Sequence, residues 1–284
     1  MKIRELLYDT QKDLQRIYDK NEAKTIAEWL FCDVLLYNNR ISLYENLDQL
    51  LEEHSGKKIL RKLKRLNQFV PIQYVLHKAW FMNLELWVLP SVLIPRPETE
   101  ELCNTIIKEM EIENANVLDL ATGSGCIAIA LKKAKPQWHI TATDISSSAL
   151  KIAQCNANRY GLAIHFLKDD LLNSSFNNKS MSVDIIVSNP PYIPISEKLS
   201  MQLNVTKYEP PMALFVPNEN PLIFYHAIAQ LAERILRPNG YIYVEVHENL
   251  AFQTQSIFES KHWKTKIYKD INEKQRYIKV QKNG

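Results

Sequence analysis

The sequence predicts an α/β protein: a mostly parallel sheet with helices on both faces, preceded by a small all-helical segment and a β-hairpin linker. Three features lead there. Residues 1–70 carry helical spacing only. At Val70-Pro71 the period changes, and Tyr74 to Leu89 alternates well enough for two strands. From residue 116 onward, short apolar runs alternate with helical ones, the pattern of successive strand–helix units.

Composition sets compatible bounds. The 284 residues suffice for more than one domain, and 46% hydrophobic with 24% charged residues excludes disordered and fibrous classes. A formal charge of +3 permits nucleic acid without calling for it. Cys32, Cys103, Cys126 and Cys155 form no Cys-x-x-Cys pair, so neither a metal site nor a disulfide framework is suggested. The N-terminus opens an amphipathic pattern and not a signal peptide, and no run reaches membrane-spanning length. A reducing cytoplasm, away from membranes, is the expected location.

In chain order, Ile3, Leu6, Leu7, Leu14, Ile17 and Tyr18 share one face of a first helix. Asn21 with Glu22 suits the start of a second, which turns Ile26, Trp29, Leu30, Val34 and Leu35 inward. Ser42 followed by Glu45 matches a capping box, and that third helix is expected to stop near Gly56. A fourth, from Lys57 to Phe69, sets Ile59, Leu60, Leu63 and Leu66 against a basic face of Lys57, Lys58, Arg61, Lys62, Lys64 and Arg65. Such a face is either a solvated helix surface or a dock for an acidic partner or RNA. In the hairpin, Met82-Asn83 is placed to turn, since Asn tolerates positive φ. Pro97 suits a first helical position, and Glu98, Glu100 and Glu101 suit its positive end. Nothing local accounts for Arg96.

Asn116 to Leu120 reads as the first strand of the parallel sheet, followed by Ala121-Thr122-Gly123-Ser124-Gly125 and a helix through Ala128, Ile129 and Leu131. Ile140 to Asp144 is the second strand. Ser146 or Ser147 caps the next helix, and Gly161 stops it. Ala163 to Leu167 is the third, closed by Asp169-Asp170, and Val183 to Val187 the fourth. A helix from Pro221 to Leu236, a turn at Asn239-Gly240, a strand from Tyr241 to Val246, another helix and two strands at 263–269 and 275–281 complete the chain.

The loops carry the chemistry. Small residues at 121–125, between a strand and a helix N-terminus, let a ligand approach the backbone. This turn lacks the Gly-Lys-Ser/Thr of a phosphate loop and the third glycine of Gly-x-Gly-x-x-Gly. Asp144, at the end of the second strand, can accept both ribose hydroxyls, and Asp170, at the end of the third, can hold an adenine amino group. Acids at successive strand ends repel a pyrophosphate and suit ribose, adenine and ammonium, so S-adenosyl-L-methionine fits better than NAD. Taken alone, Asp170 reads first as a turn residue or helix cap.

The fourth strand ends in Ser188-Asn189-Pro190-Pro191-Tyr192. Two prolines stiffen the backbone and cannot donate to a sheet, so an amide and an aromatic ring are held at a strand's carboxyl end, where open α/β sheets bind ligands. An amide nitrogen is a poor nucleophile because its lone pair is delocalised. The Asn189 side-chain oxygen and the Pro190 carbonyl could accept both its N–H protons and aim the lone pair at a sulfonium methyl, while Tyr192 walls the pocket. Catalysis would be orientation plus preorganised electrostatics, without metal or covalent intermediate. His165 and His247 are weak candidates for a final proton acceptor.

Pro71-Ile72-Gln73-Tyr74, Leu93 through Glu100, Asp119 through Ile127, Asp144, Ser188 through Ile193 and Tyr208-Glu209-Pro210 together resemble the protein-(glutamine-N5) methyltransferases specific for peptide-chain release factors. The resemblance implies three parts. Residues 1–70 form a helical bundle for substrate-protein recognition, 71–92 a hairpin linker, and 93–284 a class I, Rossmann-like methyltransferase domain. It also implies that Ala121, Thr122, Gly123, Ser124, Gly125, Asp144, Asp170 and Leu171 bind S-adenosyl-L-methionine, with S-adenosyl-L-homocysteine as product. Asn189, Pro190, Pro191 and Tyr192 would hold the substrate glutamine, Asn189 also touching the cofactor, and Arg96 would line the same cavity. The implied partner is a release factor; nucleic acid is not required, although the ribosome can be nearby. Two positions depart from the family: Ala121 stands where glycine is usual, tolerable if the backbone angles there are ordinary, and Leu171 where an aromatic ring is common. The Asn-Pro-Pro-Tyr corner alone is shared with adenine-N6 methyltransferases of DNA or RNA, which would flip a base against it. A cofactor-binding module without turnover is the other alternative.

Overall fold

The structure is a computed structural model and describes residues 1–178 and 181–284. Its residues divide into two compact units, Met1–Lys78 with Gln202–Tyr208, and Ala79–Met201 with Glu209–Gly284.

The first unit holds α1 (Ile3–Leu14), α2 (Lys20–Leu35), α3 (Arg40–Glu45), α4 (Glu53–Leu66) and α5 (Ile72–Leu76). Asp19, not Asn21, opens α2, its carboxylate accepting from the N–H groups of Asn21 and Glu22. Likewise Asn39 caps α3 by accepting from Ser42 N–H at 2.9 Å, which pre-empts the expected Ser42–Glu45 box. Gly56 does not stop a helix: α4 begins at Glu53 and runs through it, with Leu51 packed where a Cβ would project. Residues 74–76, expected to open the first strand of the hairpin, belong instead to the short helix α5.

The basic face of α4 is divided. Lys57, Arg61 and Lys64 are exposed, whereas Lys62 pairs with Asp33 at 3.3 Å and donates to Val75 O at 3.2 Å. Arg65 donates to Tyr74 O at 3.4 Å. Leu60, expected inside, is 50% exposed. Lys62→Ala should therefore lower stability by about 1–2 kcal/mol, since Asp33 keeps Lys78 as its partner, while Arg61→Ala stays within about 0.5 kcal/mol. Urea midpoints of the two variants check this; equal values would return Lys62 to the solvated face.

The hairpin β1 (Lys78–Phe81) and β2 (Leu84–Trp87), turned at Met82 and Asn83 with φ of 47° and 62°, lies in the second unit from Ala79 on. Helix α6 (Pro97–Glu109) follows, with Pro97 at its first position. The elements β3 (Asn116–Leu120), α7 (Cys126–Ala134), β4 (His139–Asp144), α8 (Ser147–Arg159), β5 (His165–Lys168) and β6 (Val183–Ser188) follow in turn. A short pair, β7 (Ile193–Pro194) and β8 (Phe215–Val216), brackets in the sequence α9 (Leu203–Tyr208), which belongs to the first unit; α10 (Ile223–Ile235), β9 (Leu236–Glu245), α11 (Ala251–Glu259), β10 (Lys264–Lys269) and β11 (Gln275–Gln281) end the chain. Asn239-Gly240 is not a separate turn before a strand. It bulges within β9, Asn239 taking φ 62° where the pairing with β6 slips between Val183 and Ile185.

The sheet order is β10-β11-β9-β6-β3-β4-β5, antiparallel from β10 to β9 and parallel beyond. Chain order reverses at β3, whose neighbours are β4 and β6, which makes this the switch point where such sheets bind ligands. Register aligns the strand ends there: Leu120 faces Thr143 on one side and Ser188 on the other, and Ser188 faces Val244. Apolar clusters fill both faces, one under α6 and α7, the other under α10 and α11.

Candidate active site

A cavity of about 640 Å³ opens at this switch point. Its walls include Arg96, Ala121, Thr122, Gly123, Ser124, Asp144, Asp170, Leu171, Asn189 and Pro191, so most of the residues singled out in the sequence meet in one place. Three do not line it: Gly125, Pro190 and Tyr192.

The glycine turn is built from backbone requirements. Gly125, at φ 82°, caps α7, and Thr122 N–H reaches Thr143 O at 2.8 Å. Asn156 of α8 donates to Ser124 O and to Trp87 O, both at 3.0 Å, and accepts from Trp87 N–H, so one buried amide ties the turn to the hairpin. Ala121 adopts φ 57°, a left-handed conformation that costs an alanine about 1–2 kcal/mol. The backbone there is not ordinary, and the methyl group sits where glycine would relieve strain.

Asp144 accepts from Gly123 N–H and Ser146 N–H, both at 2.9 Å. Burial raises its pKa, against those backbone donors. Asp170 accepts from Leu172 N–H and Asn173 and caps a short 3-10 turn, so the capping reading holds while its residue also faces the cavity. Asp169, unassigned in the sequence, lines the cavity too; its Oδ2 is buried without a hydrogen-bond partner, as is Ser124 Oγ.

Under the turn, Asp119 is fully buried and accepts from Thr122 Oγ1 at 2.5 Å. Burial pushes its pKa up to about 7, from 3.8. The folded chain thus holds a proton that the unfolded chain releases near pH 4, so this contribution to stability falls as pH rises between those values. Asp144 and Glu245 are displaced the same way by burial. Urea unfolding of the ligand-free protein at pH 5 and pH 8 should show lower stability at the higher pH, with a smaller difference in Asp119→Asn. An unchanged difference in the variant would remove Asp119 as a source.

On the other side, Arg96 pairs with the buried carboxylate of Glu209 at 2.6 Å, and Glu209 also accepts from Ile94 N–H at 3.0 Å. This explains the otherwise unaccounted Arg96 and links the Arg-Pro-Glu-Thr-Glu run to the Tyr-Glu-Pro loop. Asn189 Nδ2 donates to Thr99 Oγ1 at 3.1 Å, and Thr99 Oγ1 donates to Glu245 Oε2 at 2.6 Å. Tyr192 donates to Glu245 Oε1 at 2.9 Å, and its ring meets His247 edge-on. Its ring packs partly against the core beneath α10, outside the cavity wall. His247 contacts Glu197 at 3.1 Å, and His165 lies exposed at the start of β5; neither lines the cavity.

The sheet order, the strand-end acids and the proline corner define a class I methyltransferase. The Methyltransferase small domain model matches residues 98–208. A methyltransferase from Pyrococcus furiosus shares the fold, with a TM-score of 0.54 at 16% identity, covering 82% of this chain and all of that one. Release factor glutamine methyltransferases are more similar in sequence: that of Bacteroides thetaiotaomicron is 38% identical over 269 residues, 94% of this chain and 96% of the relative. The one from Leptospira interrogans is 40% identical over 263 residues, 90% of each. The chain belongs to the release factor glutamine methyltransferase family.

Proposed function

We infer that this chain transfers a methyl group from S-adenosyl-L-methionine to the side-chain N5 of the glutamine in the Gly-Gly-Gln motif of peptide-chain release factors. The observation that carries the reading is Asn189: it lines the cavity, and its amide nitrogen is engaged by Thr99, which reserves Oδ1 as the acceptor for a substrate. Family membership favours a glutamine over an adenine substrate and turnover over a silent fold.

The residues present suit the cofactor. A cavity of about 640 Å³ is of ligand size, Asp144 retains lone pairs for ribose hydroxyls, and Asp169 Oδ2 and Ser124 Oγ are buried polar atoms lacking partners. Leu171 and the half-exposed Ile145 offer apolar surface to an adenine ring in place of an aromatic one. Once bound, the cofactor supplies an electrophilic methyl on a sulfonium, whose sulfur keeps the bond's electron pair as the methyl leaves. Asn189 Oδ1 accepts one N–H of the substrate amide and orients its lone pair. The Pro190 carbonyl, set back from the cavity wall, would take the other once the substrate is seated, and the surplus proton of the methylated nitrogen passes to solvent water. Arg96, held by Glu209, borders the same space and offers the incoming loop the remaining N–H donors of its guanidinium. Among the described residues no helix is long and apolar enough to cross a membrane.

The test incubates the protein with labelled cofactor and a release factor carrying either the native glutamine or a replacement. One methyl mass added only to the native form supports the assignment. Transfer to bare nucleic acid, or none to either protein, overturns it.

A further inference from the structure

The corner that carries Asn189 has a support that the local motif does not contain. Primary amides are nearly symmetric in shape, so Asn189 could present either its oxygen or its NH2 group to the cavity. Only the oxygen can accept from a substrate amide. A flipped side chain would set its own N–H group against the substrate N–H it should accept.

The hydrogen bonds around Glu245 point to one choice. Burial raises the Glu245 pKa, but the Thr99 and Tyr192 hydroxyls and the nearby Arg276 all favour its carboxylate form. That form only accepts, and it takes the single hydroxyl proton of Thr99 at 2.6 Å. Thr99 Oγ1 is then left with lone pairs alone, and only the NH2 half of Asn189 can satisfy it, at 3.1 Å. The other Glu245 oxygen receives the Tyr192 hydroxyl at 2.9 Å, so one carboxylate holds the corner at both Asn189 and Tyr192. Thr99 and Glu245 are both 1% exposed, and solvent does not compete with the arrangement. Glu245 reaches this position because β6 and β9 pair in parallel with Ser188 opposite Val244, which sets the next residues, Asn189 and Glu245, side by side.

We propose that Thr99 and Glu245 are positioning residues whose one-way hydrogen-bond chain, Asn189 to Thr99 to Glu245, fixes the Asn189 amide with its oxygen toward the substrate. The proposal rests on the methyl-transfer reading above. Thr99 borders the same cavity, but its hydroxyl is engaged between Glu245 and Asn189, so its effect passes through Asn189.

Thr99→Val keeps the side chain's shape and removes its hydroxyl. We expect kcat for release factor methylation to fall about 10- to 30-fold, as the amide loses its preferred orientation, with cofactor KM changed by less than about twofold. Thr99→Ser restores the hydroxyl and should return kcat to within about threefold of the unaltered protein. If the valine variant fails to fold, Thr99→Ala carries the same comparison with less steric demand. Failure of the unaltered protein to methylate any release factor counts against the functional reading itself. Normal transfer by that protein, with Thr99→Val within twofold of it, overturns the positioning chain. Serine as impaired as valine also overturns it, because the lost element would then be packing and not the hydroxyl.

Discussion

Asn189→Ala should lower kcat for release factor methylation by about 10²–10³-fold, the range seen when a single preorganised hydrogen-bonding group is removed from a reacting centre. The reason is specific to amide chemistry. Without the Oδ1 acceptor, the substrate nitrogen keeps its lone pair in the carbonyl and is free to rotate, so both orientation and nucleophilicity are lost together. Cofactor affinity should change far less, because Asp144 and the 121–125 turn lie at the ends of β4 and β3, and the contacts of Asp144 run to Gly123 and Ser146 without passing through Asn189. Isothermal titration with the cofactor and initial rates with intact release factor separate the two effects. A rate within tenfold of normal would take Asn189 out of the mechanism.

Gly125→Ala should destabilise the protein by about 2–5 kcal/mol and weaken cofactor binding. The residue adopts φ 82°, which costs an alanine about 1–2 kcal/mol. An added Cβ would also lie 3.0 Å from Ala153 Cβ, 3.1 Å from Ile129 Cδ1 and 3.2 Å from Ala153 Cα, contacts between α7 and α8 that overpacking penalises by about 1–3 kcal/mol. Gly123 provides the control. Its φ is 55°, yet nothing lies within 4 Å of the point an added methyl would occupy, so Gly123→Ala should cost only the strain. Denaturant midpoints compare the pair directly, and equal losses would show that packing against α8 is immaterial.

Much of this was legible locally. The β-branched run before Asn189, the small-residue turn and the acids at 144 and 170 announce themselves because each is a strand end followed by a turn, within a few residues. Thr99 was visible only as part of a motif, and Glu245 not at all. Their roles depend on β9 pairing beside β6, a contact between segments far apart in the chain, and on a strand whose own pattern is simply apolar. Gly56 misled for the opposite reason: glycine usually ends a helix, but here it admits Leu51 against the backbone. Likewise the stripe of lysines and arginines on α4 looked uniform, although Asp33 and the carbonyls of Val75 and Tyr74 claim two of them. The dihedral of Ala121 is set by the turn as a whole and could not be read from the alanine itself.

The outermost strands of the sheet bear on how the molecule behaves in a crowded solution. On β10, Lys264, Lys266 and Lys269 all face water, and β5 is only four residues long with His165 and Lys168 exposed at its two ends. A second copy adding its own strand at β10 would have to crowd ammonium groups together and strip their hydration, and β5 offers little backbone to pair with. Self-templated polymerisation is therefore discouraged by charge at the β10 border and by shortness at the β5 border.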